Sequence, residues 1–390
     1  MGSEWPLVRL GDVVDLTTGF PFASQQYTDD PTAPRLLRGD NVGQGAIRWD
    51  GAKRWPVPAA EGLDAYWLRE GDVILAMDRP WIEAGLKYAY VRQSDLPALL
   101  VQRVARLRGS DRLDTGFLRY VIAGRDFTDY VTGIQTGTAV PHISGGQIHG
   151  YQFPLPPLAE QRRIAGILGT LDDKIELNRC MSQALESMAF AAYRNLRLRS
   201  RECEEQRLSE LVELNPPRSL ASGVRAPYLD MANMPTSGPS AADVVTRAVG
   251  SGMRFVNGDT LMARITPCLE NGKAAFVDFL QEGEVGWGST EYIVLRPKGP
   301  LPVEFAYCLV REPAFVEFAV ARMSGTSGRQ RVSAASLGDY PLRVEMEDVA
   351  TFARLVRPAF RRISSIAREN RQLASLRNTL LPVLLAARTA

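Results

Sequence analysis

The sequence predicts an α+β fold: two related α+β units, with two long helices separating them as an antiparallel coiled coil. Three observations carry that prediction. The chain is written twice, short strand-like runs alternate with turn residues ahead of each long helix, and the two longest periodic segments keep heptad spacing. The repeat is visible at three places. Gly71-Asp-Val-Ile-Leu75 answers Gly258-Asp-Thr-Leu-Met262, and Phe117-Leu-Arg-Tyr120 answers Phe305-Ala-Tyr-Cys308. Thr136-Gly-Thr-Ala-Val-Pro-His-Ile-Ser144 answers Ser324-Gly-Thr-Ser-Gly-Arg-Gln-Arg-Val-Ser333, and the offset is 187 or 188 residues each time. A duplication of this length implies a pseudo-twofold molecule, which suits a target with two halves.

Taken in chain order, residues 1–153 form the first unit. Val73–Ala76, Tyr88–Val91 and Val101–Leu107 read as strands between turn residues, and Phe117 to Tyr130 has helical spacing. Residues 154–203 form a central helix that begins after Pro154-Leu-Pro-Pro157. Ile164, Leu171, Asn178, Leu185 and Ala192 occupy one heptad row; Leu168, Ile175, Ser182, Ala189 and Leu196 occupy the other. Residues 204–343 form the second unit, with a strand at Tyr292–Leu295 and a helix from Pro302 to Arg322. Residues 344–390 form the second long helix, with Val349, Val356, Ile363, Asn370 and Leu384 in one row, broken at Arg377, and Phe360, Ala367, Ala374 and Leu381 in the other. Pro358 is expected to kink or delay this helix and Pro382 to end its regular part. Asn178 and Asn370 share a seam position, where a paired amide fixes register.

Composition narrows the function. At 390 residues and 45% hydrophobic, the chain can bury two cores. Its 46 Lys and Arg against 44 Asp and Glu exclude a polycation, although local basic patches remain open to it. Cys180, Cys203, Cys268 and Cys308 have no paired spacing and predict thiols in a reducing compartment. The first residues lack a basic-then-apolar leader, and no run has membrane-spanning length, so a soluble cytoplasmic protein is expected.

Catalytic chemistry is poorly supplied. His142 and His149 are the two histidines, which excludes a histidine-rich metal site, and Gly272-Lys273 lacks the upstream glycine of a phosphate loop. Asn215-Pro-Pro-Arg218 is similar to the Asn-Pro-Pro-aromatic run of adenine-N6 methyltransferases. Its fourth residue is Arg218 rather than an aromatic, and no glycine-rich cofactor loop precedes it, so it reads as a proline turn. No catalytic, cofactor-binding or metal-ligating residue is therefore assigned. What remains is recognition surface. Ser324 to Arg331 combines flexible glycines with Thr326, Arg329, Gln330 and Arg331, side chains that suit phosphates and base edges. Arg264, Asn271 and Lys273 lie in a turn-rich loop of similar character. In the first half, Arg35, Arg38, Lys53, Arg54, Arg79 and Trp81 sit among glycines and prolines, and Gln135, Thr136, Thr138 and His142 match the loop of the second half.

These motifs resemble the DNA-specificity subunits of type I restriction-modification systems. The resemblance rests on Pro154-Leu-Pro-Pro-Leu-Ala-Glu-Gln-Arg-Arg-Ile-Ala-Gly-Ile-Leu168, Leu171-Asp-Asp-Lys-Ile-Glu-Leu-Asn178, Ser324-Gly-Thr-Ser-Gly-Arg-Gln330, Gly288-Ser-Thr-Glu-Tyr292 and Leu376-Arg-Asn-Thr-Leu-Leu-Pro382. It spans essentially the whole chain, although Val344-Glu-Met-Glu-Asp348 departs from the proline-rich start of the first helix motif. It implies two target-recognition domains, each reading half of a bipartite, asymmetric DNA site, and adds Ser289 and Thr290 to the DNA-binding candidates. It further implies that the helices space the domains and dock two methyltransferase subunits, with Glu160, Gln161, Arg162, Arg163, Asp172 and Asp173 as docking candidates. S-adenosylmethionine would then sit in the methyltransferase partners, and ATP and Mg in two restriction subunits. Two other readings compete: a specificity-like subunit of another phage-defence assembly, and an enzyme that methylates DNA itself.

Overall fold

The computed structural model describes residues 5–135, 141–241, 243–326 and 328–386. Two compact units emerge: residues 1–174 with 373–390, and residues 175–372. The expected boundaries at 153/154, 203/204 and 343/344 placed each long helix outside the units, whereas the division falls within both helices. The cores explain this. In unit 1, Ile164 and Leu168 of the central helix are fully buried, and Leu380, Leu381, Leu384 and Leu385 of the C-terminal helix pack on the same core. In unit 2, Ala189, Tyr193 and Leu196 join Val349, Phe352, Val356 and Phe360 in one cluster. An apolar helix stripe is stable only where it is covered, and here each unit supplies part of the cover.

Unit 1 is built on a four-stranded antiparallel sheet in the order Val14–Thr18, Val104–Gly109, Val73–Ala76, Tyr88–Tyr90. The strand Val73–Ala76 is apolar at every position and buried at every position, as a central strand covered on both faces must be. A short parallel pair, Arg35–Leu37 with Ala98–Leu100, lies apart from that sheet, and Leu7–Arg9 pairs with Gln152–Pro154. Unit 2 repeats the main sheet in the same order: Val212–Leu214, Tyr292–Pro297, Thr260–Ala263, Ala274–Phe276. Gln206–Arg207 pairs with Pro341–Leu342 as the counterpart of the first unit's terminal pair. Unit 2 also carries a second four-stranded sheet, Val245–Ala248, Arg225–Leu229, Gly286–Gly288, Met253–Phe255. The α+β class and the duplication are both present in this topology.

Several local expectations are corrected. Phe117 to Tyr130 is two helices, Thr115–Ala123 and Arg125–Ile134, separated by an extended Gly124. Pro302 to Arg322 is likewise two, Glu304–Val310 and Pro313–Ala321, because Pro313 opens the second and holds Glu312 extended before it. Neither Pro358 nor Pro382 breaks the C-terminal helix, which runs Met346–Leu385. Both prolines are exposed, so a carbonyl that loses its helical partner can bond water instead. The lost bond and ring clash cost about 3 kcal/mol, while burying Val356 and Phe360 beside Pro358 returns about 3–6 kcal/mol.

The central helix spans Leu158–Arg199, about 63 Å at ~1.5 Å per residue. Ile164, Leu168, Ile175, Asn178, Ala189 and Leu196 of its heptad rows are buried, whereas Leu171, Ser182, Leu185 and Ala192 are half-buried. Within unit 2 the two long helices run antiparallel. Asn178 Nδ2 donates to Asn370 Oδ1 at 2.9 Å, and further along Arg199 meets Asp348 at 3.5 Å. Asn178 is fully buried, so the amide pair leaves little freedom for a slipped register.

The four cysteines are free thiols. Among the described residues no helix is long and apolar enough to cross a membrane, and no group of His, Cys, Asp or Glu is placed to hold a metal. Asn215 belongs to the scaffold. Its φ is +53°, its side-chain oxygen accepts the Val294 N–H at 2.9 Å, and Arg218 pairs with buried Asp259 at 3.3 Å.

Candidate nucleic-acid interface

Each unit holds its display loop with the same framework. Gly71 has φ +91° and Gly258 φ +86°, a left-handed turn where a side chain would be strained. The next residue in each copy, Asp72 or Asp259, is buried. Asp72 accepts the Arg69 N–H at 2.8 Å and pairs with Arg108 Nε at 2.5 Å. Asp259 accepts the Val256 N–H at 2.8 Å and pairs with Arg296 Nε at 2.7 Å. Burial pushes the Asp259 carboxyl up, opposed by the Val256 N–H and by Arg296. Beyond the strand that follows, Met77 O accepts the Ile143 N–H at 2.9 Å, and its counterpart Arg264 O accepts that of Val332 at 3.0 Å. Ser144 and Ser333 then cap the short helices Gly145–His149 and Ala334–Gly338. The loop before each long helix is thereby laid against the end of the central strand.

In unit 1 this arrangement borders a cleft. His142 Nδ1 donates to Asp78 at 2.7 Å, and the Arg79 N–H donates to Pro141 O at 2.6 Å. Arg38 and Arg79 share a cleft of about 560 Å³ with Lys87 and Arg103, and Phe22 and Tyr27 line it as well. Burial lowers the Lys87 pKa, Asp40 opposes that shift, and Arg79 adds to it. Trp81 is exposed on a hairpin, Trp81–Ile82 with Gly85–Leu86, and Lys53 is exposed. Gln135 ends the helix Arg125–Ile134, half-buried. Thr136 and Thr138 lie outside the described residues. Two first-half candidates are corrected to scaffold. Arg35 donates to Ser94 O at 2.8 Å and stacks 4.3 Å above the Trp49 ring, while Arg54 donates to Ala33 O at 2.5 Å. Both side chains are half-buried and anchored to the unit's own backbone.

Unit 2 displays a projecting hairpin. The Ser324 N–H donates to Arg331 O at 3.0 Å, the Arg331 N–H returns to Ser324 O at 2.9 Å, and Gly325 and Gly328 take positive φ. Thr326, Arg329 and Gln330 are exposed at its tip, and Asn271 and Thr290 are exposed too. Ser289 accepts the Glu291 N–H at 3.1 Å and shapes the turn there. Three candidates in this unit are corrected. Arg331 clamps Glu291 with contacts of 2.8–3.0 Å, and Arg264 approaches the same carboxylate at 3.6 Å. The hydrogen bonds from Arg331 hold Glu291 below its ordinary carboxyl range. Lys273 donates to Met231 O at 2.6 Å. These cations shape the hairpin and its neighbour loop while remaining partly exposed.

On the central helix, Gln161 and Asp172 are also scaffold rather than docking surface. Buried Gln161 donates to Arg112 O and Pro156 O and accepts the Asp114 N–H. Buried Asp172 accepts from Arg119 at 2.6 Å, Tyr120 at 2.8 Å and Arg377 at 2.7 Å. Glu160 pairs with Arg163 at 2.7 Å on the same helix face, Arg162 approaches Asp114 at 3.9 Å, and Asp173 is exposed.

Sequence reasoning did not single out Lys87, Arg103, Asp78 or Arg311. Arg311 donates to four backbone carbonyls, those of Thr236, Gly238, Gly272 and Ala274, and so ties two loops of unit 2 together. Nothing in the local sequence around Arg311 announces partners that distant. For Asp78 the repeat held a signal, because Ile265 stands at its counterpart.

Residues 2–187 match the family model described as Type I restriction modification DNA specificity domain. The specificity subunit of the type I restriction enzyme EcoAI from Escherichia coli is 34% identical over 175 residues, 44% of this chain and 28% of that protein. The MjaVIII specificity subunit from Methanocaldococcus jannaschii is 31% identical over 184 residues, 47% of this chain and 43% of that protein. The chain thus spans less than half the length of these curated relatives. The solved S subunit of a type I restriction-modification system from M. genitalium superposes with a TM-score of 0.59 at 15% identity, covering 99% of this chain and 97% of that one, a likeness of fold.

Proposed function

We propose, from the match of residues 2–187 to the type I DNA specificity domain, that the chain is the DNA-binding specificity subunit of a type I restriction-modification complex. The observation that carries this reading is the doubled framework: one strand-loop-cap arrangement occurs in both units and displays different side chains in each. A repeated holder with unlike displays suits a bipartite target whose halves differ in sequence. Unit 1 would read one half with Arg38, Arg79 and the cleft around them, and unit 2 the other with Arg329 and Gln330.

In this reading the chain itself performs no catalysis. It docks two methyltransferase subunits on the exposed faces of its long helices, with Arg162, Arg163 and Asp173 exposed there and Glu160 paired with Arg163. S-adenosylmethionine belongs to those partners, and ATP and Mg to two restriction subunits, all acting in the cytoplasm. The near-neutral charge supports dependence on partners, because few phosphate contacts are available to the chain alone. The test is a selection of randomised duplexes by the chain with and without the methyltransferase subunit, at one salt concentration. Tight selection of two half-sites only with the partner supports the reading. Equal affinity and specificity in both cases, or labelled methyl transfer by the pure chain, overturns it.

A further inference from the structure

The unit 1 cleft holds two carboxylates, Asp40 and Asp78, where a surface facing DNA would ordinarily be cationic. Asp40 is exposed and pairs with Arg38 at 3.5 Å, whereas Asp78 lines the cleft beside Arg79, Lys87 and Arg103. The Asp78 side chain is about one-third exposed. Oδ1 accepts from His142 Nδ1 at 2.7 Å, and Oδ2 lies 3.8 Å from Arg103 Nε. Each carboxylate oxygen offers more than one lone pair, so both contacts leave acceptor capacity. The two donors fix the orientation of the group without closing it off.

The repeat sharpens the point. Asp78 bridges to His142 in unit 1, and Ile265 bridges to Arg331 in unit 2. The backbone bonds that hold both loops are the same, so the framework does not call for a carboxylate at this place. Unit 2 does without one and clamps its loop through Arg331 and Glu291 instead. The carboxylate of Asp78 is thus not required by the backbone frame that the two units share.

On the reading of the chain as a specificity subunit, we propose that Asp78 is a specificity-determining residue of unit 1, accepting the exocyclic amine of a cytosine or adenine in the major groove. A carboxylate accepts from cytosine N4 or adenine N6, whereas guanine O6 and thymine O4 are acceptors that it repels. One group thus selects and rejects. Arg38, Arg79 and Lys87 hold the neighbouring phosphates and offset the cost of bringing a carboxylate to a polyanion. His142 is the positioning residue that aims Asp78.

The experiment uses the chain assembled with its methyltransferase partner and a pool of randomised duplexes. Asp78→Ala is expected to lose about 5- to 150-fold of preference at one cytosine or adenine position of one half-site. The other half-site, read by unit 2, stays intact and reports that the complex is folded. Asp78→Asn, nearly the same size and carrying both donor and acceptor, broadens that position to admit guanine or thymine. Lys87→Ala weakens all duplexes alike and lowers the salt dependence by about one contact. A wild-type complex that selects two half-sites while Asp78→Ala and Asp78→Asn keep every preference overturns the assignment of Asp78 alone. So does a uniform loss like that of Lys87→Ala. If Asp78→Ala binds nothing, Asp78→Asn decides by keeping or broadening the position. A wild-type complex that selects no sequence overturns the specificity reading and this inference with it.

Discussion

Units 1 and 2 share what is buried and differ in what is shown. Both turn at a left-handed glycine, both bury the following aspartate against an arginine, and both cap the next short helix with serine. Unit 1 then presents a concave cleft of mixed charge with aromatic walls, whereas unit 2 presents a hairpin tipped by Arg329 and Gln330. The difference teaches how a duplicated scaffold can serve an asymmetric target. Buried positions answer to packing and hydrogen bonding, which tolerate little change, while loop tips answer to the ligand.

The largest expected effect is on the shared frame. Replacing Asp72 or Asp259 by Ala removes a buried carboxylate, leaving a backbone N–H and a half-buried arginine without their acceptor, a loss of about 1–3 kcal/mol in unfolding free energy by denaturant titration. Asp259 faces both Arg218 and Arg296, so Asp259→Ala should cost more than Asp72→Ala. Hydrogen exchange assigns each loss to its unit, and a stability unchanged by either substitution would show that the common turn does not hold the units.

The next effect separates the displays. Arg329→Ala and Gln330→Ala should each remove about 1–3 kcal/mol of discrimination, confined to the half-site read by unit 2. Duplex selection measures it; loss of readout in both halves breaks the idea that the units read independently. Arg331→Ala, by contrast, should disturb the hairpin itself, since Glu291 loses its clamp.

Independence can be sharpened through the helices. Four residues inserted beside Ser182 add about one turn, roughly 5–6 Å, and should lengthen the unread spacer by about one or two base pairs. Methylome sequencing of cells carrying the insertion should show both half-site sequences unchanged. An unchanged spacer in an active variant would remove the helices as the ruler. The insertion also shifts Asn178 against Asn370, so some stability should be lost.

The smallest effect is a pH dependence of the unit 2 hairpin. Glu291 sits below its ordinary value of 4.5 because Arg331 hydrogen-bonds its charged form. A depressed carboxyl contributes stability that is present above the unfolded value and lost as pH falls through the folded one. The hairpin should therefore loosen below about pH 4.5, read as faster amide exchange at residues 324–331 than at the unit 1 loop. Equal sensitivity of both loops would deny the clamp its role.

Much of the architecture was legible because its causes are local. The 187–188-residue repeat, the heptad rows and the glycine-aspartate turns are written in neighbouring residues, and periodicity or turn chemistry suffices to read them. Asn178 and Asn370 could be paired on paper because a heptad frame projects along a helix. Helix breaks at Gly124 and Pro313 were harder to place, and Pro358 misled, since packing on one face outweighs a lost bond on the other. The functional surface was least legible. Arg35, Arg54, Lys273, Arg331, Gln161 and Asp172 look free in the sequence, yet each finds its partner through the fold, Arg331 across 40 residues and Asp172 across 205. The cleft of unit 1 gathers residues from Phe22 to Arg103 that no local pattern joins. Sequence determined the repeat, the helices and the class of molecule. Tertiary structure alone decided which charges were spent on the frame and which were left to face a ligand, because a salt bridge depends on distance in space and not on spacing along the chain.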